Sequence, residues 1–270
     1  MQAPRGQIWA TRRHSPLGLI GFRPNADYST GGEADQPTLF LPGAVTYFSS
    51  MIVTIDGPAG SGKSTAARRL AERLGFDFLD TGAMYRAVAL ALGRRGVDVA
   101  NDAAVATELP TIHIEMPPRR VLLNGEDVTE AIRAPGASQG ASRVAVIPAV
   151  RIHLAGEQRR IATARRFVCE GRDQGTFVFP DAECKFFLTA DPRARAERRH
   201  REMLDKGECI SLEAILNSQA ERDLRDASRE LAPMHAAADA VIVDTTHLSA
   251  DEVLEKLIEE VGRRCPTARA

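Results

Sequence analysis

Cysteine is scarce in this 270-residue chain, and its cysteines follow no ligand spacing. Cys169, Cys184, Cys209 and Cys265 include no CxxC pair, so we predict neither a disulfide framework nor a zinc site. Two of the four lie in apolar runs, where a small buried thiol is the ordinary interpretation. This cysteine usage fits a reduced, cytoplasmic compartment.

Long apolar runs and an excess of one charge are also missing. No stretch approaches the roughly 20 apolar residues that a membrane-spanning helix needs, so we predict no membrane partner. Lys and Arg total 35 against 36 Asp and Glu, a net charge of -1. No overall field therefore attracts polyanions, and we predict no nucleic-acid partner. With 44% hydrophobic and 5% aromatic residues, the composition is that of an ordinary globular protein.

The first fifty residues show neither helical nor strand periodicity, and no acidic residue precedes Asp27. The stretch from Ser15 to Phe22 is interrupted by proline and glycine, which excludes a signal-peptide core. We expect residues 1–50 to be a tail without chemistry, or a segment upstream of the true start, because Met51 begins the first predicted strand.

A glycine-rich turn joins an apolar run to a helical pattern near residue 60. The turn and its continuation comprise Gly57, Pro58, Ala59, Gly60, Ser61, Gly62, Lys63, Ser64 and Thr65. Glycines let backbone N–H groups converge on phosphate oxygens, Lys63 can reach the β- and γ-phosphates, and the Ser64 hydroxyl can ligate Mg²⁺. This pattern predicts a phosphate-binding loop for a nucleoside triphosphate.

Strand-like and helix-like segments alternate after this loop, which predicts an α/β fold around a parallel sheet. The predicted strands are Met51–Ile55, Phe76–Leu79, Phe167–Cys169, Cys184–Thr189 and Ala240–Val243. The predicted helices are Ser64–Leu74, Met84–Arg95, Ile147–Arg165, Pro192–Leu204, Leu212–Arg229 and Ala250–Val261. Between Thr111 and Thr129 an alternating pattern with turns at Pro117-Pro118 and Asn124-Gly125 predicts a small antiparallel insert, on which His113 faces solvent.

Two further strand-to-helix corners carry charged residues. One is Asp80–Arg86 and the other is Glu170–Thr176. Each alone is compatible with a capped, salt-bridged surface helix. Arg222, Arg225 and Arg229 recur at i, i+3 and i+7, which predicts one stripe on a helix; alone, such a stripe is usually solvated. Together the corners and the stripe predict a clamp for an anion.

These motifs resemble those of the bacterial cytidylate kinases. The resemblance rests on the run from Ile55 to Ser64, on Asp80–Arg86 and Gly171–Thr176, and on Ala141–Ala145 with the arginine-rich helix. It spans Met51 to about Val261, and the second and third motifs separate it from adenylate, guanylate and shikimate kinases. Thr81 and Glu170 stand where many members carry Ser and Asp, which retains the hydroxyl and the charge.

The resemblance implies a three-layer, doubly wound P-loop fold with a five-stranded parallel sheet, a small antiparallel β insert that binds the nucleoside monophosphate, and a short lid. The kinase domain would cover residues 51–265, with its core at 51–109 and 146–265, the insert at about 110–145 and the lid at about 204–210. Residues 266–270 would form a tail. The implied reaction moves the γ-phosphoryl group of ATP, with Mg²⁺, to CMP or dCMP, and the family habit is a monomer.

The resemblance also implies roles for individual residues. Lys63, Arg172, Arg222 and Arg229 would be catalytic, and the loop Gly57–Thr65 would bind ATP, with Ser64 on Mg²⁺. Contacts to cytosine would come from Thr81, Arg151 and Asp173, and contacts to ribose from Ser142 and Asp226. The acceptor phosphate would be held by Arg86, Arg172, Arg222 and Arg229. Arg195, Arg198 and Arg199 lie where arginines on the lid side could touch the γ-phosphate.

Two other classes of protein share such a loop. A nucleotide-switch ATPase or GTPase would hydrolyse its triphosphate to move a partner, but Phe167–Glu170 is only a partial match to the acidic motif that a switch uses. A small-molecule kinase with an alcohol acceptor would need a base beside the loop. Asp80 could serve as that base, so fold logic alone does not exclude this class.

Overall fold

Eight strands and eight α-helices, with two short 3₁₀-helices and one π-helical turn, lie in the part of the chain that the computed structural model describes, residues 50–205 and 207–266. The strands are β1 Met51–Asp56, β2 Asp77–Asp80, β3 Ile114–Glu115, β4 Leu122–Leu123, β5 Glu126–Asp127, β6 Arg166–Gly171, β7 Cys184–Thr189 and β8 Val241–Asp244. The helices are α1 Lys63–Leu74, α2 Thr81–Arg94, α3 Asp102–Glu108, α4 Ala137–Val144, α5 Pro148–Ala162, α6 Pro192–Leu204, α7 Leu212–Ala227 and α8 Ala250–Arg264. The predictions for residues 1–49 and 267–270 lie outside the described residues.

Five of the strands form one parallel sheet in the order β2-β6-β1-β7-β8. Strand β1 is central, and its register with β6 places Ile55 opposite Glu170 and Asp56 opposite Gly171. The loops that follow β1 and β6 therefore leave the sheet side by side. Ligands of open α/β sheets bind at this carboxyl edge, so the predicted phosphate loop and the second charged corner are neighbours.

Two hydrophobic cores cover the two faces of the sheet. Along β6, Phe167 and Cys169 pack with residues of α2 and α5, whereas Val168 packs with residues of α1 and α8. Alternate side chains of a strand point to opposite faces, so a strand covered by helices on both sides becomes continuously apolar. The predicted three-layer α/β architecture with five parallel strands is confirmed.

The predicted insert is a three-stranded antiparallel sheet in the order β3-β4-β5. Its second turn has Asn124 at φ 50° and Gly125 at φ 84°, the two positive values that a tight two-residue hairpin turn requires. His113 is exposed, as predicted. Ile114, Leu123 and Val128 belong to the core that also contains residues of α2 and α5, so the insert is anchored to one face of the large sheet.

Two short helices were not predicted, and two predicted helices end early. Helices α3 and α4 have seven and eight residues, too few for a clear 3.6-residue periodicity. Helix α5 ends at Ala162, and α7 ends at Ala227 instead of Arg229. The predicted lid corresponds to the connection between α6 and α7, within which Lys206 lies outside the described residues. No helix in the described part of the chain is long and apolar enough to cross a membrane.

Candidate active site

The phosphate loop is held so closely that glycine is required at two positions. Gly57 has φ 146°, and a Cβ there would lie 2.1 Å from the carbonyl oxygen of Leu188 in β7. Gly60 has φ 77°, and its Cβ would lie 2.9 Å from the carbonyl oxygen of Arg195. Both conformations are strained for other residues. The glycines that predicted the loop from sequence are thus explained by the contacts of its backbone.

Lys63 begins α1 and is buried, and its Nζ donates to the carbonyl oxygen of Pro58 at 3.3 Å. Burial lowers the pKa of the Lys63 ammonium, and the charges of Arg172 and Arg222 lower it further. An anion placed between these cations would favour the charged lysine. Two of the predicted clamp arginines therefore lie within electrostatic range of the loop lysine.

Glu170 contacts the predicted magnesium ligand, although it was not among the predicted site residues. The Ser64 hydroxyl donates to Glu170 Oε2 at 2.6 Å. Burial raises the pKa of Glu170, and Asp80 adds to this shift while Lys63 opposes it. The available signal was an acidic residue at the end of an apolar strand, which the sequence analysis treated as a partial match.

Hydroxyl and carboxylate oxygens suit Mg²⁺, which usually takes few protein ligands together with phosphate oxygens and water. Residues Ser64 and Glu170 therefore fit this ion. Among the described residues no group of three or more His, Cys, Asp and Glu side chains could hold a metal ion.

Three predicted arginines surround Asp226, whose side chain is 2% exposed. Arg172 Nε donates to Asp226 Oδ2 at 3.0 Å, and Arg229 pairs with Asp226 Oδ1. Arg222 Nε lies 3.9 Å from Oδ2. One carboxylate opposite three guanidinium groups leaves a net positive charge. Burial and the neighbouring Arg172 lower the pKa of Arg222 to about 10.

A second buried pair joins this cluster. Arg151 pairs with Asp173, and its Nη1 donates to the carbonyl oxygen of Ala145 at 3.1 Å. Burial raises the pKa of Asp173, while Arg151 and Arg229 lower it. Because the charge of Arg229 also lowers the pKa of Asp173, the pair of Arg151 and Asp173 is electrostatically coupled to the arginine cluster around Asp226.

Four site arginines keep a buried Nε–H group without a hydrogen-bond partner within the described ranges. They are Arg86, Arg151, Arg222 and Arg229. A buried donor without a partner costs about 1–3 kcal/mol, and more for a charged group. Unsatisfied donors on residues that already carry surplus positive charge are typical of a pocket that binds an anion.

The remaining predicted residues occupy the first charged corner and α4. The Thr81 hydroxyl donates to the carbonyl oxygen of Glu170 at 2.6 Å, which leaves its lone pairs to accept from a ligand. Arg86 pairs with Asp80 at 3.1 Å. Ser142 is buried in α4, and its hydroxyl makes no hydrogen bond to another described residue. Their ligand contacts stay predictions.

The predicted stripe of three arginines does not include Arg225, and Arg229 lies just beyond the end of α7 at Ala227. Arg225 is exposed, and its Nε donates to the carbonyl oxygen of Glu221 at 3.3 Å. Arg222 and Arg229 both contact Asp226, at the i,i+4 and i,i+3 spacings that share one helix face. The clamp consequently takes Arg172 from another segment, and Arg225 faces solvent.

The predicted contacts of Arg195, Arg198 and Arg199 with the γ-phosphate stay predictions. Arg195 is buried, donates to the carbonyl oxygen of Ala59 at 3.0 Å and pairs with Asp223 at 2.5 Å. Arg198 donates to the Thr245 hydroxyl at 3.0 Å, and Arg199 pairs with a neighbour on its own helix. The first two guanidinium groups bind the protein itself, Arg195 at the phosphate loop.

A phosphate loop at the edge of a parallel five-stranded sheet, opposite a buried arginine cluster, defines a P-loop phosphotransferase. Residues 53–263 match the family model described as cytidylate kinase. The chain belongs to the cytidylate kinase family.

Curated relatives agree with this assignment. The cytidylate kinase of Rhodopirellula baltica is 46% identical over 82% of this chain and 96% of its own length. The cytidylate kinase of Carboxydothermus hydrogenoformans is 44% identical over 79% and 98% of the two chains. That of Solibacter usitatus is 47% identical over 81% and 95%.

Proposed function

We propose that this protein transfers the γ-phosphoryl group of ATP to CMP or dCMP. The observation that carries this proposal is the buried arginine cluster around Asp226, whose members Arg172 and Arg222 lie within electrostatic range of Lys63. Two anion sites that face one another suit a reaction between two phosphorylated substrates. Catalysis of phosphoryl transfer needs positioning and charge neutralisation more than covalent chemistry.

The donor half of the site is the loop Gly57–Thr65. Its backbone N–H groups would bind the phosphates of ATP, and Lys63 would place its ammonium on the β- and γ-phosphates. Ser64 and Glu170 would hold Mg²⁺. When bound, this ion neutralises charge on the phosphate oxygens.

In the acceptor half, Arg86, Arg172, Arg222 and Arg229 would bind the phosphate of CMP, and Thr81, Arg151 and Asp173 would contact cytosine. Ser142 and Asp226 would contact ribose. The unpartnered Nε–H groups support a ligand that accepts several hydrogen bonds at once. Arg151 and Asp173 form a buried ion pair, and such a fixed pair supports a rigid surface that presents donors and acceptors to a base.

No general base is needed for this acceptor. A nucleoside monophosphate, with a second phosphate pKa of about 6, is already largely ionised at neutral pH. The candidate base for an alcohol acceptor, Asp80, instead accepts from the backbone N–H of Ala83 at 2.9 Å and pairs with Arg86. These contacts disfavour the small-molecule kinase. The arginine cluster likewise disfavours a switch ATPase, for which a second anion site has no use.

Closure of the insert at about 110–145 and of the lid at about 204–210 would exclude water from the transferred group. We also propose that the enzyme acts as a monomer in the cytoplasm; light scattering on the purified protein would test the first of these points.

An acceptor screen tests the reaction. Purified protein with Mg²⁺ and ATP should release ADP slowly alone, and rapidly when CMP or dCMP is added. AMP, GMP and UMP serve as matched acceptors, and a lower rate with each is expected. Rapid ATP hydrolysis without an acceptor would contradict the proposal and favour a switch.

A further inference from the structure

Asp56 is a buried carboxylate at the junction of the two halves of the site. It is the last residue of β1, directly before Gly57, and is 4% exposed. None of the ion pairs found in the described ranges includes it. A buried charge without a partner is costly unless hydrogen bonds stabilise it. The reason for keeping this carboxylate therefore lies in its hydrogen bonds.

Both oxygens of Asp56 accept backbone N–H groups from one segment. Oδ1 accepts from Gln174 at 2.9 Å, and Oδ2 accepts from Gly175 at 2.8 Å. Gln174–Val178 forms a single π-helical turn, and these two N–H groups are the first of that turn. First-turn N–H groups have no partner within their own helix. Asp56 thus caps a turn that lies 118 residues further along the chain.

This turn directly follows Arg172 and Asp173. The segment is tightly seated, because a Cβ on Gly175 would lie 2.9 Å from the Thr54 hydroxyl, and a Cβ on Gly171 would lie 2.7 Å from Gln174 Cγ. A shift of the turn would consequently move Arg172 and Asp173, the two residues proposed to contact the acceptor nucleotide. Arg172 pairs with Asp226, and Asp173 pairs with Arg151.

We propose that Asp56 is a positioning residue, whose carboxylate holds the segment carrying Arg172 and Asp173 in register with the phosphate loop through the N–H groups of Gln174 and Gly175. One side chain at the base of the donor loop thereby sets the placement of the acceptor clamp. The expected effect of Asp56 on CMP phosphorylation rests on the proposed function, whereas the hydrogen bonds from Gln174 and Gly175 to Asp56 do not depend on it.

Protonation would weaken this anchor. Burial raises the pKa of Asp56 to about 7, an effect that Asp173 increases and Arg172 and the two N–H groups reduce. The Cys169 thiol in β6 is also within electrostatic range of Asp56. The carbon chain of Lys185 in β7 lies beside Gly175, and the Lys185 ammonium is paired with Asp239. In a neutral carboxyl group one oxygen becomes a hydroxyl, which is a weaker acceptor, so protonation weakens at least one of the two bonds from the N–H groups.

The test is the substitution Asp56→Asn, which keeps the size but replaces one acceptor with a donor. We expect a folded protein whose kcat/KM for CMP falls at least about tenfold, because one backbone N–H of the turn would face the amide donor of Asn instead of an acceptor. KM for ATP should stay nearly unchanged, because the Asp56 carboxylate bonds the turn at Gln174 and Gly175 and not the phosphate loop. As the pH falls below 7, kcat/KM for CMP should decrease more steeply for the wild type than for the variant. The phosphate of CMP titrates equally in both assays, so it does not contribute to the difference between the two pH profiles.

Asp98→Asn is a matched control, because Asp98 also accepts a backbone N–H, from Ala100 at 3.0 Å, in an exposed turn. It should leave all constants unchanged. Parallel pH profiles, or a kcat/KM for CMP within about twofold of wild type, would overturn the proposal; a twofold change is below the energy of even a weak hydrogen bond.

Hydrogen exchange at the Gln174 and Gly175 amides tests the anchor independently of enzymatic activity. In the wild type at pH 8 the amides of Gln174 and Gly175 should be protected, and in a folded Asp56→Asn variant they should exchange faster. Unprotected amides in the wild type would overturn the anchor even if the variant fails to fold. Should the wild type not phosphorylate CMP, the proposed function fails, and this exchange measurement still decides the role of Asp56.

Discussion

Removal of the Asp226 charge is expected to destabilise the fold by an amount that its burial sets. In Asp226→Asn, Arg172 and Arg222 lose a charge that lies 3.0 and 3.9 Å from their Nε atoms. With an effective dielectric constant of about 20, these attractions are about 5 and 4 kcal/mol before desolvation. Desolvation offsets much of this, and breaking a buried pair typically costs about 3–5 kcal/mol. A domain is stable by only about 5–15 kcal/mol.

Urea unfolding of the wild type and of Asp226→Asn measures this loss. The control is Glu260→Gln at the surface of α8, where one carboxylate also contacts two arginines, Arg263 at 2.5 Å and Arg264 at 2.8 Å. Solvent screens these contacts, so we expect a loss of about 1 kcal/mol or less. Equal losses in the two variants would refute the argument from burial.

Inorganic phosphate adds a second readout. With the negative charge of Asp226 gone, the three arginines should bind phosphate more tightly, and stabilisation by a ligand grows with the ratio of its concentration to Kd. We therefore expect phosphate to raise the unfolding free energy of Asp226→Asn more than that of the wild type. A smaller effect in the variant would show that the arginines do not form an anion site.

Three further predictions concern Arg172, Glu170 and Asp56. Arg172→Ala should reduce kcat for CMP phosphorylation by about 10²–10³-fold, the usual effect of losing one charge-stabilising donor, while ATP affinity measured by calorimetry changes little; unchanged turnover would contradict the clamp. Glu170→Gln should raise the Mg²⁺ concentration for half-maximal activity by about tenfold or more, and an unaltered Mg²⁺ titration would remove Glu170 from the site. The Asp56 carboxyl has a folded pKa of about 7 against 3.8 for the free group, because the cost of burying its charge exceeds the gain from the two N–H bonds that hold the carboxylate. Proton binding to Asp56 therefore stabilises the fold; this contribution is complete below pH 3.8 and is lost as the pH rises through 7. Between pH 5 and pH 8 the wild type should lose roughly 2–3 kcal/mol relative to Asp56→Asn, and parallel urea-unfolding curves across this range would refute that pKa.

Local features of the site could be read from the chain because each is contained in a few consecutive residues. Gly57 and Gly60 have positive φ values, and Lys63 and Ser64 follow them within a few residues of the chain. The Asn124-Gly125 hairpin turn belongs to the same class. The five strands were also predictable as short, largely apolar runs, and β1, β6 and β7 are apolar because both of their faces are buried.

Contacts between distant segments could not be read in this way. Nothing in the spacing indicates that Arg172 donates to Asp226, which lies 54 residues further along the chain. Glu170 contacts Ser64 across 106 residues because β6 pairs with β1. The short helices α3 and α4 depend in the same way on packing against their neighbours.

The sequence by itself thus determined the α/β class, the phosphate loop and the family, because propensity, glycine conformation and motif order are properties of neighbouring residues. Only the tertiary structure decided which charges meet. The register of β1 with β6 brings Asp56 to the turn at Gln174 and Glu170 to Ser64, and the packing of the chain brings Arg172 to Asp226 across 54 residues. Electrostatic and hydrogen-bond energies depend on distance in space, which the order of residues along the chain does not specify.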